Sequence, residues 1–282
     1  MFGRLKTLHK RLEARLSDPA GPGLDAPEGR RRHLLHFQLF DHAFLRVFWT
    51  NFARVSDGVY RSNQPSPGRM KRLKARGIHT VLSLRGDVPL SFNLLEREAA
   101  LREGITLVSI RLHAKRLPSP ETLIELEHLF RTLDRPLLMH CKSGSDRAGF
   151  ASALYLMMIE NRPVAEAARQ LHWRFLHLKT TPTGVLDHFL RVYEAARRET
   201  GISLMDWVRT EYDPKAVSRS FKAWLAARKG RPQAADDALA APSLARGLPT
   251  PGVAAAGDDE APSPPELAGP DVVIEAAPED RT

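Results

Sequence analysis

The chain has 282 residues, 43% hydrophobic and 27% charged, an ordinary globular balance with room for one sizeable core or two small ones. A single cysteine excludes an internal disulfide, and no apolar run reaches the ~18 residues of a transmembrane helix. The formal net charge of +9 favours anionic partners, whether phosphorylated molecules, acidic membrane surfaces or nucleic acid, although part of it solvates helix faces.

That charge is unevenly spread. Residues 230–282 hold three arginines against ten acids, a net of −7, so residues 1–229 carry +16. Residues 1–32 form a basic segment expected to pack poorly; MFGRLKTLHKRLEARL lacks the apolar stretch of a signal peptide, and with the lone thiol this points to the cytoplasm. Residues 33–52, HLLHFQLFDHAFLRVFWTNF, are dense in Leu and aromatics but broken by Gln38, Asp41, His42 and Arg46. This predicts an amphipathic helix, packed on the domain that follows or lying on a lipid surface.

From there to residue 229 the pattern alternates. VYRSN predicts a strand, the turn at Gln64–Pro67 opens a helix that Gly77 ends, and HTVLSLRG (79–86) predicts a second strand. A helix over 93–104 leads to the strand TLVSIRL (106–112). Ser119 and Pro120 mark the N-cap and first position of the next helix. PLLMHC is another strand, and AGFASALYLMMIEN after Arg147 is an apolar helix ending before Pro163. Further helices are expected over 163–177, 183–200 and 214–228. The order predicts an α/β fold, a largely parallel central sheet flanked by helices, over residues 53–229. Residues 230–282, rich in Pro and Ala with no aromatic anchor, read as a disordered acidic tail.

The stretch LLMHCKSGSDRAGF (137–150) holds the only cysteine. Cys141 stands at the carboxyl end of an apolar strand, the edge where open α/β sheets bind ligands, and its loop runs straight into a helix N-terminus. Free backbone N–H groups and the helix dipole make an anion site there and favour the thiolate. Gly144 lets the loop curl closely, and Arg147, six residues after the cysteine, can clamp two oxygens with its planar fork.

His140-Cys141-x5-Arg147 resembles the signature loop of the cysteine-dependent protein tyrosine and dual-specificity phosphatases. With VSDGVYRSNQPSP and HTVLSLRG, the resemblance extends over roughly residues 50–180 and is nearest to the small bacterial members. It implies a phosphatase-like domain over 53–229 and a phosphoric monoester hydrolase working in two steps. Cys141 attacks phosphorus to give a phosphocysteine, which water then hydrolyses. Lys142, Ser143, Gly144, Ser145, Asp146 and Arg147 would hold the phosphate, and His140 would orient the loop. No cofactor or metal is implied.

Two departures stand out. Family members usually carry a general-acid Asp on a loop upstream of the cysteine, where this chain reads RLHAKRLPSPE. Asp146 inside the loop is the leading candidate, set against a structural role capping the helix; Asp87 and His113 are the others. The position after Arg147 is Ala148, where relatives often place a hydroxyl that helps the thiolate leave, so slow breakdown of the phosphoenzyme is expected. The implied partners are a phosphorylated protein or a phosphoinositide, with peripheral contact to the inner face of an anionic membrane. The alternative is a pseudophosphatase module that captures phosphate without turnover. Nucleic-acid binding lacks an aromatic-interleaved basic motif, and a disulfide reductase would need a second thiol.

Overall fold

A computed structural model describes residue 16, residues 21–228 and residues 273–275. Among the described residues six strands form one sheet: β1 (Ala53–Ser56), β2 (Val59–Asn63), β3 (Thr80–Ser83), β4 (Thr106–Ser109), β5 (Leu137–Cys141) and β6 (Val273–Glu275). Their spatial order is β1-β2-β5-β3-β4-β6. The inner pairs β2/β5, β5/β3 and β3/β4 are parallel, while β1 and β6 close the two edges antiparallel. The expected largely parallel sheet is present.

Helices cover both faces, which is why the inner strands read as apolar runs rather than as alternating patterns. On one face lie α1 (Pro27–Leu39), α2 (Pro67–Ala75) and α3 (Ser91–Arg102); on the other α4 (Pro120–Thr132), α5 (Asp146–Met158), α7 (Val185–Thr200), α8 (Leu204–Thr210) and α9 (Pro214–Arg228). The one-turn α6 (Val164–Ala167) follows α5. The larger core joins Leu137, Met139 and Cys141 of β5 to Phe150 and Leu154 of α5 and Phe189 of α7. The smaller core joins Leu138 to Met70, Leu73, Val81 and Ala99. Strand alternation therefore turns Cys141 toward the α5 side and its neighbour His140 toward α3.

Three expectations are corrected. The single helix over 33–52 is absent: α1 starts at Pro27 and stops at Leu39, His42 adopts a left-handed φ of 56°, and Ala43–Val47 make a 3₁₀ turn. Pro27 presets the first turn, and beyond Leu39 the chain bends so that Asp41 meets Arg85 and Arg46. Residues 27–32, expected to pack poorly, begin this helix, and Arg30 bonds Glu98 of α3 at 3.1 Å. The rest of the 1–32 segment lies mostly outside the described residues.

The helix expected over 163–177 is likewise broken into α6 and two 3₁₀ turns, 168–170 and 173–175. The break frees the Gln170 carbonyl to accept from Arg61 at 2.6 Å. The acidic tail lies outside the described residues except for β6, a strand whose Ile274 is in register with Val108.

Candidate active site

The loop Lys142–Ser145 leaves the carboxyl end of β5, in the middle of the sheet, and enters α5 at Asp146. Each of its four carbonyls accepts from a donor outside the loop. Lys142 O takes the Gln64 backbone N–H and Arg46 Nη1, both at 3.4 Å. Ser143 O takes Asn51 Nδ2 at 2.8 Å. Gly144 O and Ser145 O take Arg61 Nη2 at 2.6 and 3.0 Å. A loop whose carbonyls are drawn outward is the arrangement that reserves its N–H groups for an anion, the same logic as a helix N-terminus.

Gly144 has φ +72°, and a Cβ there would lie 2.5 Å from the Asn63 nitrogen and 2.6 Å from the Ser62 carbonyl carbon. Both are backbone atoms of β2, so only glycine fits.

Arg61 is the rear anchor of the loop. It sits on β2 fully buried, stacks 3.9 Å from the Phe175 ring centroid and also bonds Gln170. Burial pushes its guanidinium down to about 9, against the attraction of Cys141 and Asp146; it remains a cation at neutral pH. A second cluster holds the loop start. Asp41 accepts from Arg85 at 2.8 and 3.0 Å and lies 2.7 Å from Arg46 and 3.4 Å from Lys142. Burial alone would raise the Asp41 carboxyl; Arg85, then Arg46 and Lys142, outweigh it and hold it at about 2.

The expected site residues fall as follows. Cys141 is buried at the strand end, with Lys142, Ser143, Gly144 and Ser145 forming the loop behind it. Ser143 is exposed and Ser145 buried. Arg147 is in the first turn of α5, half-buried, and acts electrostatically on His113. His140 is buried with Nε2 2.9 Å from Glu96 Oε1, a contact poorly aligned for hydrogen bonding, while Gln64 Nε2 donates to the other Glu96 oxygen at 3.0 Å. Ala148 packs in the core.

The three acid candidates differ sharply. Asp87 accepts from Asn93, lies 3.5 Å from Arg97, and its carbonyl accepts from Arg111 at 3.3 Å. His113 is exposed beside Arg116; partial burial and then Arg116, Arg111 and Arg147 lower its proton affinity, so it is neutral at neutral pH. Asp146 alone adjoins the loop, at the first position of α5, and its Oδ1 lies 2.7 Å from His177 Nδ1. Asn51, Arg61, Asp41, Arg85, Glu96 and His177 escape sequence reasoning because each joins the network around the loop from a distant element. One signal was available: the polar run Arg61-Ser62-Asn63-Gln64 is out of place at the end of a strand unless something polar faces it.

An α/β sheet with a lone cysteine at its central carboxyl edge, a loop whose carbonyls are tethered from outside, and an arginine six residues after the cysteine is an arrangement that can hold an oxyanion beside a sulfur. Residues 52–181 match the family model described as DSP-PTPase phosphatase fused to NAD+ kinase. The dual specificity protein phosphatase TpbA of Pseudomonas aeruginosa is 30% identical over 112 residues, 39% of this chain and 48% of the relative. The inositol diphosphatase DSP4 of Arabidopsis thaliana is 31% identical over 104 residues, 35% of this chain and 51% of the relative. The crystal structure of P. aeruginosa TpbA superimposes with a TM-score of 0.41 at 20% identity, covering 61% of this chain and 91% of that one. Over residues 52–181 the chain is similar to the dual-specificity phosphatases. It spans about half the length of the curated relatives it matches.

Proposed function

We propose that this chain is a phosphoric monoester hydrolase in which Cys141 Sγ attacks phosphorus, the ester oxygen leaves, and water then cleaves the phosphocysteine. The observation that carries this is the loop's rear tethering: Arg46, Asn51, Arg61 and Gln64 occupy its carbonyls, directly after the buried Cys141. Arg147 and the loop amides of residues 142–147 would take the equatorial oxygens as charge spreads over them. His140, wedged beside Glu96, would hold the strand end in register. Purified protein should hydrolyse p-nitrophenyl phosphate with vanadate inhibition, and Cys141→Ser should abolish hydrolysis while keeping vanadate binding. An inactive but folded wild type sinks the reading.

Two classes of substrate are supported. The relatives' names, a dual specificity protein phosphatase and an inositol diphosphatase, point to phosphoproteins or inositol phosphates. Exposed apolar side chains beside the loop favour a substrate at an anionic membrane. Val47 and Phe48, 70% and 90% exposed, follow Arg46, which bonds the loop; Trp173 and Leu176, 71% and 56% exposed, flank Phe175, whose carbonyl shares Asn51 with Ser143 O. With Lys142, Arg174 and Lys179 nearby, this surface suits an anionic leaflet touched from one side. Among the described residues no helix is long and apolar enough to cross a membrane. Turnover of phosphoinositide in anionic vesicles, against a phosphotyrosine peptide and soluble inositol phosphate, separates the classes. A Phe48→Ser variant should weaken only the vesicle reaction.

Phosphate capture without turnover is favoured by one observation, the commitment of Asp146 to His177. Vanadate binding without hydrolysis of any ester would establish it.

A further inference from the structure

His177 is 99% buried between two carboxylates: Nδ1 lies 2.7 Å from Asp146 Oδ1 and Nε2 lies 2.6 Å from Asp187 Oδ2. It sits just after Leu176, whose left-handed backbone turns the chain inward, and Asp187 is in the first turn of α7. An imidazole with a carboxylate at each nitrogen is doubly protonated, since both nitrogens must donate. Burial opposes that charge, but the hydrogen bonds and charges of the two aspartates prevail and raise His177 to about 9. Arg61 interacts electrostatically with Asp146, and Arg191 with Asp187. Asp146 thus faces a proton donor, whereas Asp87 faces Arg97 and His113 faces arginines, which have no proton to give.

We propose that His177 supplies, through Asp146, the proton that the leaving-group oxygen receives, with Asp187 holding the imidazole in place; this rests on the phosphatase reading above. In the first step the Nδ1 proton passes to the Asp146 carboxylate. The carboxyl turns about its Cβ–Cγ bond and gives the proton to the ester oxygen as the P–O bond breaks and the S–P bond forms. His177 is left neutral, keeping its Nε2 proton toward Asp187. In the second step water attacks phosphorus, the P–S bond breaks, and the proton released by water returns through Asp146 to Nδ1. His177 is a positioning residue and proton store; Asp146 is the group that meets the substrate.

The test compares His177→Asn, His177→Gln and Asp187→Asn with the full-length wild type on two esters. Phenyl phosphate has a basic leaving group that needs protonation, and p-nitrophenyl phosphate has an acidic one that does not. The relay predicts that the His177 variants lose about 100-fold in kcat on phenyl phosphate. They should lose less than tenfold on the nitrophenyl ester and keep vanadate affinity. The basic limb of the wild-type kcat profile should lie near 9, vanish in the His177 variants, and move to lower pH in Asp187→Asn. Equal losses on both esters, or weakened vanadate binding, would make His177 merely structural and overturn the relay, as would an unshifted limb in Asp187→Asn should the His177 variants not fold. A wild type inert toward both esters but binding vanadate would instead remove the phosphatase reading itself.

Discussion

The two sides of α5 are held by different physics. Its body, from Phe150 onward, lies in an apolar and aromatic layer centred on Phe189, whose ring meets Phe150, Trp207 and Tyr212 edge-on at 5.2 to 5.3 Å. Its N-terminal end is held by buried polar and charged groups: Arg61 on carbonyls, His177 between aspartates, and the Asp41 cluster behind Lys142. Apolar contacts are non-directional, so the first region tolerates changes that keep volume. Hydrogen-bonded ions are directional and expensive to leave half-paired, so the second region specifies the loop geometry and is least tolerant where a donor to a loop carbonyl is lost.

The sharpest break of this contrast is Arg61→Met. It strands the carbonyls of Gly144 and Gln170, each costing about 1–3 kcal/mol when left unpaired, while Ser145 O keeps the Gly149 N–H. Chemical denaturation should show a loss above about 3 kcal/mol, and vanadate binding should disappear. Phe189→Ala should cost a comparable ~3–5 kcal/mol by opening a cavity. Yet protein that remains folded should keep the wild-type vanadate affinity, since the rings Phe189 meets, Phe150, Trp207 and Tyr212, donate nothing to the loop carbonyls. Equal damage to binding from both variants would erase the distinction.

Gly144→Ala comes next, with about 1–3 kcal/mol of backbone strain at φ +72° and at least a tenfold loss of vanadate affinity by calorimetry. Leu154→Met, in the apolar layer, should stay under about 1.5 kcal/mol with no change in binding.

Titration sharpens the comparison with two histidines of opposite sign. His188 on α7 bonds Ser220 at 2.9 Å; burial and then Arg191 lower it to about 4. Its folded value lies below the ordinary one, so its share of stability is complete above about 6.5 and is lost as pH falls toward 4. His177 is raised to about 9, so its share is complete below about 6.5 and is lost as pH rises through 9. Denaturation midpoints across pH should therefore lose their acid-side slope in His188→Asn and their alkaline-side slope in His177→Asn. The smallest effect is expected from deleting residues 270–282. Loss of the β6 pairing with β4 should cost about 1 kcal/mol and leave an open edge that self-associates on gel filtration.

The strand, loop and helix around Cys141 were legible because their signals are local. PLLMHC is an apolar run of strand length, Gly144 marks a bend, and the small and apolar residues after Arg147 continue a helix until Pro163. Ser119 as N-cap was legible for the same reason, and its side chain does accept from the Thr122 backbone at 3.3 Å. The helices misjudged were those that tertiary partners interrupt. Residues 33–52 have a continuous helical pattern until Asp41 is drawn into an ion cluster, and 163–177 until Arg61 captures the Gln170 carbonyl.

The amino-acid order alone settled the α/β class, the place of the lone thiol at a strand's carboxyl end, and a glycine-bearing turn leading into a helix. Each follows from spacing and turn chemistry within a few residues. Which groups brace that turn, and which carboxyl group has a proton store beside it, was decided only when the chain closed. Arg61 and Gln170 are separated by 109 positions and His177 and Asp146 by 31, and the sequence pattern carries no trace of either pairing. Burial then set the outcome: removed from water, those charges must find partners, and the partners they found shaped the loop.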